Sequence, residues 1–347
     1  MYYTVSTHRF FVGTVALLNS LRLTGNTGEF VVLDAGLTQS ERQLLAAHAT
    51  VFSPPEGRPI HPVVMKTYAH LSQHSGTVVI IDSDMIVTGS LDHILALAGE
   101  GMICAYPDAP EVRRRWFPEW EKTLRLAAPL RPDVYVNTGL VAFSTTAWPN
   151  LLERWREACE SIPPGEMWGS HSPFNAPDQD ALNALLMSEI PREALALLPD
   201  REQLFGGNAK VEDYETLKVA GHPAKILHLL DSPKQWEPSG WLRLAGMDYA
   251  RLMRRLLFSS DVTLRLDPSQ VPLWLRPGRS GEFALRVLGP GNRALVRTAY
   301  RLPEPLRTRL RQARRWFAYG RSHRREITLV LPALDYAEHL LLGMNWW

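Results

Sequence analysis

Short, continuous apolar runs separated by stretches with helical spacing are the feature that most constrains this chain. Thr77–Ile81 reads Thr-Val-Val-Ile-Ile, which suits a strand buried on both faces. Ile103–Tyr106 and Leu140–Phe143 read the same way. Tyr2–Ser6 and Phe30–Leu33 are rich in β-branched and aromatic residues and predict two more strands, with a short one at Val51–Phe52. Between the first two, Phe11–Leu23 carries Val15, Leu18 and Leu21 at helical spacing. Thr38 followed three residues later by Glu41 predicts a capping box that opens a helix through Ala47. Strands alternating with helices predict an α/β layer around a mostly parallel sheet. Ligands of such sheets bind beyond the carboxyl ends of the strands, so the polar residues just after these runs are the first candidates for a site.

The 347 residues suffice for one large domain or two ordinary ones. With 45% hydrophobic and 21% charged residues, a disordered or collagen-like chain is excluded. Cys104 and Cys159 are the only cysteines. Two are too few for a disulfide scaffold or a cysteine-based zinc site, and they fit a reducing cytosol. The net charge of +2 hides a split. From Arg251 onward there are 18 arginines, no lysine and 7 acidic residues, a net +11, which leaves −9 for the first 250 residues. We therefore expect an acidic body over 1–241 and a basic, partly helical extension over 242–347. The longest uncharged stretch, Val134–Leu152, contains Asn137, Gly139, Pro149 and Asn150 and would sit badly in hydrocarbon. No segment reads as a membrane span or signal peptide, and the body is expected to be cytoplasmic.

The sharpest local pattern is Ile80-Ile81-Asp82-Ser83-Asp84. On an extended strand, side chains two apart share a face, so Asp82 and Asp84 are expected to converge on one hard cation, Mg²⁺ or Mn²⁺, that bridges them to phosphate. An acidic strand end facing water is the other reading. His228, after the apolar run Lys225–Leu227, offers a third ligand that suits Mn²⁺ better than Mg²⁺; a partly buried loop histidine is the plainer alternative. Lys234 could neutralise a departing diphosphate. Asp178 opens the segment Asp178-Gln179-Asp180 where a helix begins, so it serves equally well as a cap. In Asn137-Thr138-Gly139, Gly139 would let the backbone approach a ligand, and Asn137 offers donor and acceptor together.

The order of these clusters resembles the retaining, metal-dependent glycosyltransferases of family 8, the glycogenin and bacterial lipopolysaccharide galactosyltransferase group. Tyr3–Thr7 and Leu17–Leu21 are similar to that family's first strand and helix, Asp82 and Asp84 to its Asp-x-Asp motif, Asn137–Gly139 to its Asn-x-Gly element, and Asp178–Asp180 to its Asp-Gln-Asp segment. His228, Lys234 and Trp236 match its closing motif. Departures are Asp231 and Gln235, where that motif has Gly and Pro, and Thr7 and Arg9 after the first strand, where many members have Asp and Asn. The resemblance covers about residues 1–241.

It implies a GT-A fold, an α/β Rossmann-like sheet flanked by helices, and transfer of a hexose from a UDP-sugar to a hydroxyl acceptor with retention. In that scheme Asp82, Asp84 and His228 hold Mn²⁺ or Mg²⁺. Val5, Ser6, Thr7, Lys66, Asp82, Ser83, Asn137, Gly139, Asp178 and Lys234 bind the donor. Asp178, Gln179 and Lys234 serve catalysis, with Gln179 near the anomeric carbon, and Asp108 is a candidate acceptor contact. No carboxylate stands out as a nucleophile, so a front-face substitution is preferred to a covalent intermediate. Alternatives are a sugar nucleotidyltransferase, disfavoured because Ser6–Phe10 lacks a glycine-rich phosphate loop, and a non-catalytic binding protein with a decayed site. In the extension, the apolar stripe Leu306, Leu310, Ala313 and Phe317 among arginines predicts a basic amphipathic helix over Glu304–Phe317. It either lies on an anionic membrane at the inner face or packs on the body; no nucleic-acid motif is present.

Overall fold

The computed structural model describes residues 1–55, 64–168, 172–205, 209–230, 232–243 and 247–300. Among the described residues twelve strands run in chain order: β1 Tyr2–Ser6, β2 Phe30–Asp34, β3 Thr50–Phe52, β4 Thr77–Ile81, β5 Met85–Val87, β6 Ile103–Pro107, β7 Val136–Ser144, β8 Leu195–Leu197, β9 Gln203–Phe205, β10 Val211–Asp213, β11 Lys218–Val219 and β12 Ile226–His228. The helices are α1 Phe11–Leu23, α2 Gln39–Ala46, α3 Asp92–Gly99, α4 Glu119–Thr123, α5 Leu151–Ser161, α6 Pro177–Leu186, α7 Met247–Phe258 and α8 Arg279–Tyr300.

Seven strands form the main sheet in the order β3-β2-β1-β4-β7-β6-β8. All neighbours are parallel except β7, which runs against both β4 and β6. The expected α/β layer is therefore present, with one reversed strand near its middle. That reversal has a consequence for the site: the start of β7 lies at the same edge as the carboxyl ends of β4 and β6. Ile81 faces Leu140, and Pro107 faces Val136.

The apolar runs are continuous because each face of the sheet has its own core. Tyr2, Val32, Val79, Ile81, Cys104 and Ala142 pack with α1, α3 and α7 on one face. Their neighbours Tyr3, Val31, Val78, Ile80, Ala105 and Val141 pack with α5 and α6 on the other. Side chains alternate across a strand, so a strand covered on both sides is apolar at most positions, and the few polar residues it keeps, such as Asn137 and Thr138 in β7, are buried. The capping box at α2 is formed: Glu41 N donates to Thr38 Oγ1 at 3.3 Å, and Thr38 N to Glu41 Oε2 at 2.8 Å.

Beyond residue 241, α7 adds Tyr249, Leu252, Met253 and Leu256 to the first of these cores. Asn19 of α1 joins the two parts, donating to the carbonyls of Leu256 and Leu264, both at 2.7 Å, and accepting from Leu264 N at 2.9 Å. The described arginines here are largely paired. Arg251 and Arg254 grip Glu282 of α8, and Arg255 grips Asp261 and Glu215. The expected amphipathic helix over 304–317 lies outside the described residues. Among the described residues no helix is long and apolar enough to cross a membrane.

Candidate metal and donor site

The site gathers at the edge where β1, β4 and β6 end and β7 begins. Asp82 and Asp84 do not lie on the strand, as the two-residue periodicity implied. β4 ends at Ile81, and residues 82–84 form a turn into β5, closed by Met85 N donating to Asp82 O at 3.1 Å. The two carboxylates converge because the chain folds back, not because of a shared strand face.

His228 reaches them through the small sheet β5-β12-β9. It pairs antiparallel with Met85, the residue after Asp84, and Leu229 N donates to Asp84 O at 3.1 Å. His228 Nε2 lies 3.4 Å from Asp84 Oδ1 and 3.9 Å from Asp82 Oδ2. Ligand atoms of the three residues all fall within 4.8 Å of one another. Asp84 Oδ1 is buried without a hydrogen-bond partner, which a native interior rarely tolerates. Two carboxylate oxygens and one imidazole nitrogen, one of them orphaned, fit a divalent cation.

Two lysines frame this trio. Lys66, in a short 3-10 helix over Val64–Ser72, sits 2.8 Å from Asp82 Oδ1 and 3.0 Å from Asp178 Oδ2. Burial draws its ammonium down, but Asp178 and then Asp82 outweigh this and raise it above its ordinary value. Lys234 lies 2.7 Å from Asp84 Oδ2 and also donates to Leu229 O. Burial pushes the Asp84 carboxyl up; Lys234 and then His228 more than offset it and hold it well below the usual carboxylate range. Asp82 is raised, by burial first, with Lys66 pulling the other way; the 24% of its side chain that reaches solvent moderates the effect.

Asp178 and Gln179 come from the first turn of α6. The N-cap is Ala176, and Asp178 turns its carboxylate to Lys66 and to Thr138 Oγ1 at 3.0 Å rather than to the helix end. Trp155 Nε1 fixes the backbone from beneath, donating to Asp178 O at 2.7 Å. Gln179 Oε1 accepts from Thr138 N at 3.0 Å. Asn137, Thr138 and Gly139 belong to β7 itself, which starts four residues earlier than its apolar run suggested. Gly139 is needed for space: a Cβ there would lie 2.3 Å from Met85 Cε and 2.6 Å from His228 Cε1.

At the end of β1, Ser6 is buried and shares a 2.7 Å hydrogen bond with Thr14; Val5 and Thr7 are partly exposed beside it. Ser83 is 7% exposed, and its carbonyl would lie 2.3 Å from a Cβ at Gly13. Arg9 is tied to Glu237, with Nε 2.5 Å from Oε1, and to Ser232 Oγ at 2.9 Å. Trp236 Nε1 donates to Arg9 O at 2.8 Å. Asp231, one of the departures from the closing motif, lies outside the described residues.

Two features went unseen in the sequence. Thr138 supplies both a hydroxyl and a backbone amide to the α6 residues, yet it is the unmarked position between Asn137 and Gly139. Arg115 clamps Asp180, with Nε 2.7 Å from Oδ1, and so steadies the start of α6 from 65 residues away. Asp108, the candidate acceptor contact, is 1% exposed, and both its carboxylate oxygens accept hydrogen bonds from the protein.

No family model matches the chain, and no curated protein does. Among solved structures it is similar to the apo structure of WbbM, a bifunctional glycosyltransferase, at 15% identity and a TM-score of 0.49, covering 76% of this chain and 50% of that one. The chain thus spans about half the length of that protein. It is also similar to the galactosyltransferase LgtC in complex with donor and acceptor sugar analogs, at 16% identity and a TM-score of 0.47, covering 77% of this chain and 97% of that one. A third is the glycosyltransferase GlyE of Streptococcus pneumoniae, at 16% identity and a TM-score of 0.43, covering 68% of this chain and 56% of that one.

Proposed function

We propose that this chain is a metal-dependent, retaining glycosyltransferase that moves a hexose from a UDP-sugar to a hydroxyl acceptor. One observation carries the reading: Asp82, Asp84 and His228 share one corner of the sheet edge, with Lys66 and Lys234 against the two carboxylates. A set of two carboxylates, an imidazole and flanking cations is suited to a diphosphate held through a divalent ion.

Mn²⁺ or Mg²⁺ held by Asp82, Asp84 and His228 would supply Lewis-acid stabilisation of the leaving diphosphate. Lys234, released from Asp84, adds positive charge where negative charge develops. Asp178 and Asn137 orient the sugar through its hydroxyls. Gln179 stands at the reacting face. Asp178 Oδ2 already accepts from Lys66 and Thr138, so it is a poor nucleophile, which favours a front-face departure in which the acceptor proton passes to the leaving phosphate. The basic region beyond residue 241, whose helix α7 packs on the body, is proposed to meet a lipid-linked or cell-surface acceptor at the inner face of a membrane.

The test is nucleotide release from a panel of nucleotide sugars with Mn²⁺ and a set of hydroxyl acceptors. UDP release that stops in excess chelator, with a product of the donor's anomeric configuration by NMR, is expected. Pyrophosphate exchange instead of UDP release would point to nucleotidyl transfer. No turnover with any donor would remove the enzyme reading, and an inverted product would remove the retaining one.

A further inference from the structure

Asp108 follows β6 at the same sheet edge, almost wholly buried, and among the described residues it makes no hydrogen bond to a proposed metal ligand. Three N–H groups converge on its two oxygens. Ala109 N donates to Oδ1 at 2.8 Å, Asn137 Nδ2 to Oδ1 at 3.4 Å, and Gln179 Nε2 to Oδ2 at 2.6 Å. Arg113 Nε donates to the Asp108 carbonyl and pins its backbone. Asn137 and Gln179 come from different elements, β7 and α6, and among the described residues Asp108 is the one group that bonds both carboxamides.

A carboxamide has a donor end and an acceptor end of nearly equal size, and packing alone does not choose between them. Both Asp108 oxygens accept, so the carboxyl takes the NH₂ ends of both carboxamides. The oxygens then turn the other way: Asn137 Oδ1 accepts from Gly139 N at 2.9 Å, and Gln179 Oε1 from Thr138 N at 3.0 Å. The chain continues through Thr138 Oγ1 to Asp178, on to Lys66, and so to Asp82. Asp108 therefore stands at one end of a hydrogen-bonded path whose other end is a proposed metal ligand.

We propose that Asp108 is a positioning residue that holds the NH₂ ends of Gln179 and Asn137, while the Thr138 and Gly139 amides hold their oxygens, and so sets where the two carboxamides stand beside the bound sugar. This deepens the glycosyltransferase reading and rests on it for the sugar, while the relation between Asp108 and the two carboxamides stands by itself. With its side chain 1% exposed and both oxygens hydrogen-bonded to protein, Asp108 is better placed to hold its neighbours than to meet an acceptor directly. Its part is to hold the amide polarity of the two residues that meet the donor. A misplaced reacting group costs about a hundredfold in rate even for shifts near 1 Å, and a reversed carboxamide replaces an acceptor by a donor at the same point.

Asp108→Asn is the informative variant, because it keeps the shape but has one acceptor oxygen where Asp108 has two, so one of the two NH₂ groups of Asn137 and Gln179 would meet another NH₂ while the packing is kept. With the UDP-sugar that the native chain turns over, kcat should fall ten- to a hundredfold, while the apparent Mn²⁺ affinity stays within twofold and the melting temperature changes little. The second readout is the Gln179 side-chain amide pair in a ¹H–¹⁵N spectrum, assigned by its loss in Gln179→Ala. It should shift and exchange faster in Asp108→Asn. An unmoved Gln179 signal, or a rate that falls only in proportion to lost stability, overturns the proposal. A native chain inactive on every nucleotide sugar removes the glycosyltransferase reading, and the amide signal still decides the role of Asp108. If Asp108→Asn does not fold, the Asp108 carboxyl ¹³C signal in native chain and in Gln179→Ala reads the same contact; identical shifts would sink it.

Discussion

Lys234 and Asp84, 150 residues apart in the chain, meet at 2.7 Å at the edge of the main sheet. Among the described residues only Oδ2 of the carboxylate is hydrogen-bonded; Oδ1 is buried with no hydrogen-bond partner and lies 3.4 Å from His228 Nε2. The lysine holds Asp84 ionised while its other oxygen stays available. A cation that binds Oδ1, Asp82 and His228 would weaken the attraction between Lys234 and Asp84 and leave the ammonium to a phosphate.

Added Mn²⁺ should therefore stabilise the native chain. At a concentration one hundred times the dissociation constant the gain is about 2.7 kcal/mol, visible as a rise in melting temperature. Asp84→Asn and His228→Ala should lose most of this response without losing the fold. Equal shifts in the native chain and both variants would remove these residues as ligands.

Lys234→Ala should lower kcat much more than it raises the donor KM, because its charge matters most as the diphosphate departs. Loss of one contact of this kind costs about 2.7–4 kcal/mol, or roughly a hundred- to a thousandfold. Steady-state kinetics on UDP release measure it; a native kcat at saturating donor would place Lys234 outside the reaction.

Gly139→Ala should disturb the metal site from behind. The Met85 terminus could swing away from the new methyl group, but His228 Cε1, 2.6 Å from that position, is held in β12. We expect a loss of roughly 1–3 kcal/mol in stability from overpacking and weaker Mn²⁺ binding, by calorimetric titration. Native affinity in this variant would show that the imidazole is not constrained by β7.

The α7–α8 contact should carry a pH signature. Hydrogen bonds from Arg251, then Arg254 and Arg286, lower the Glu282 carboxyl from its ordinary 4.5 to about 2, against the burial that raises it. A depressed carboxyl contributes stability that is complete above the unfolded value and is lost as pH falls through the folded one. The contribution should thus be full above about pH 4.5 and fade toward pH 2. Urea unfolding across this window should be less pH-dependent for Glu282→Gln; parallel curves would show that the cluster adds nothing.

Where the fold depends on local pattern, it was legible in the residues. Phe11–Leu23 and Thr77–Ile81 stand at their expected bounds, because helical spacing and unbroken apolar runs are local signals of burial. The capping box at Thr38 and Glu41 is a four-residue event and formed as the spacing implied. Boundaries failed where a strand begins with polar residues. Asn137 and Thr138 resemble a loop in sequence but are buried in β7, since their side chains bond to Asp108, Gln179 and Asp178 from other elements.

By itself, then, the sequence determined the alternation of strands and helices, the two-sided burial of the sheet, and the candidate ligands Asp82, Asp84 and His228. Only the tertiary structure decided how they meet. The turn after β4 brings the two aspartates together, the pairing of β12 with β5 delivers His228, and the reversed β7 puts Asn137 and Gly139 at the edge where β4 and β6 end. The physical reason is range. Periodicity and capping act over a few residues, whereas the bonds from Lys66 to Asp178, from Lys234 to Asp84 and from Gln179 to Asp108 span 112, 150 and 71 positions, and no local pattern of side chains encodes a partner at that distance.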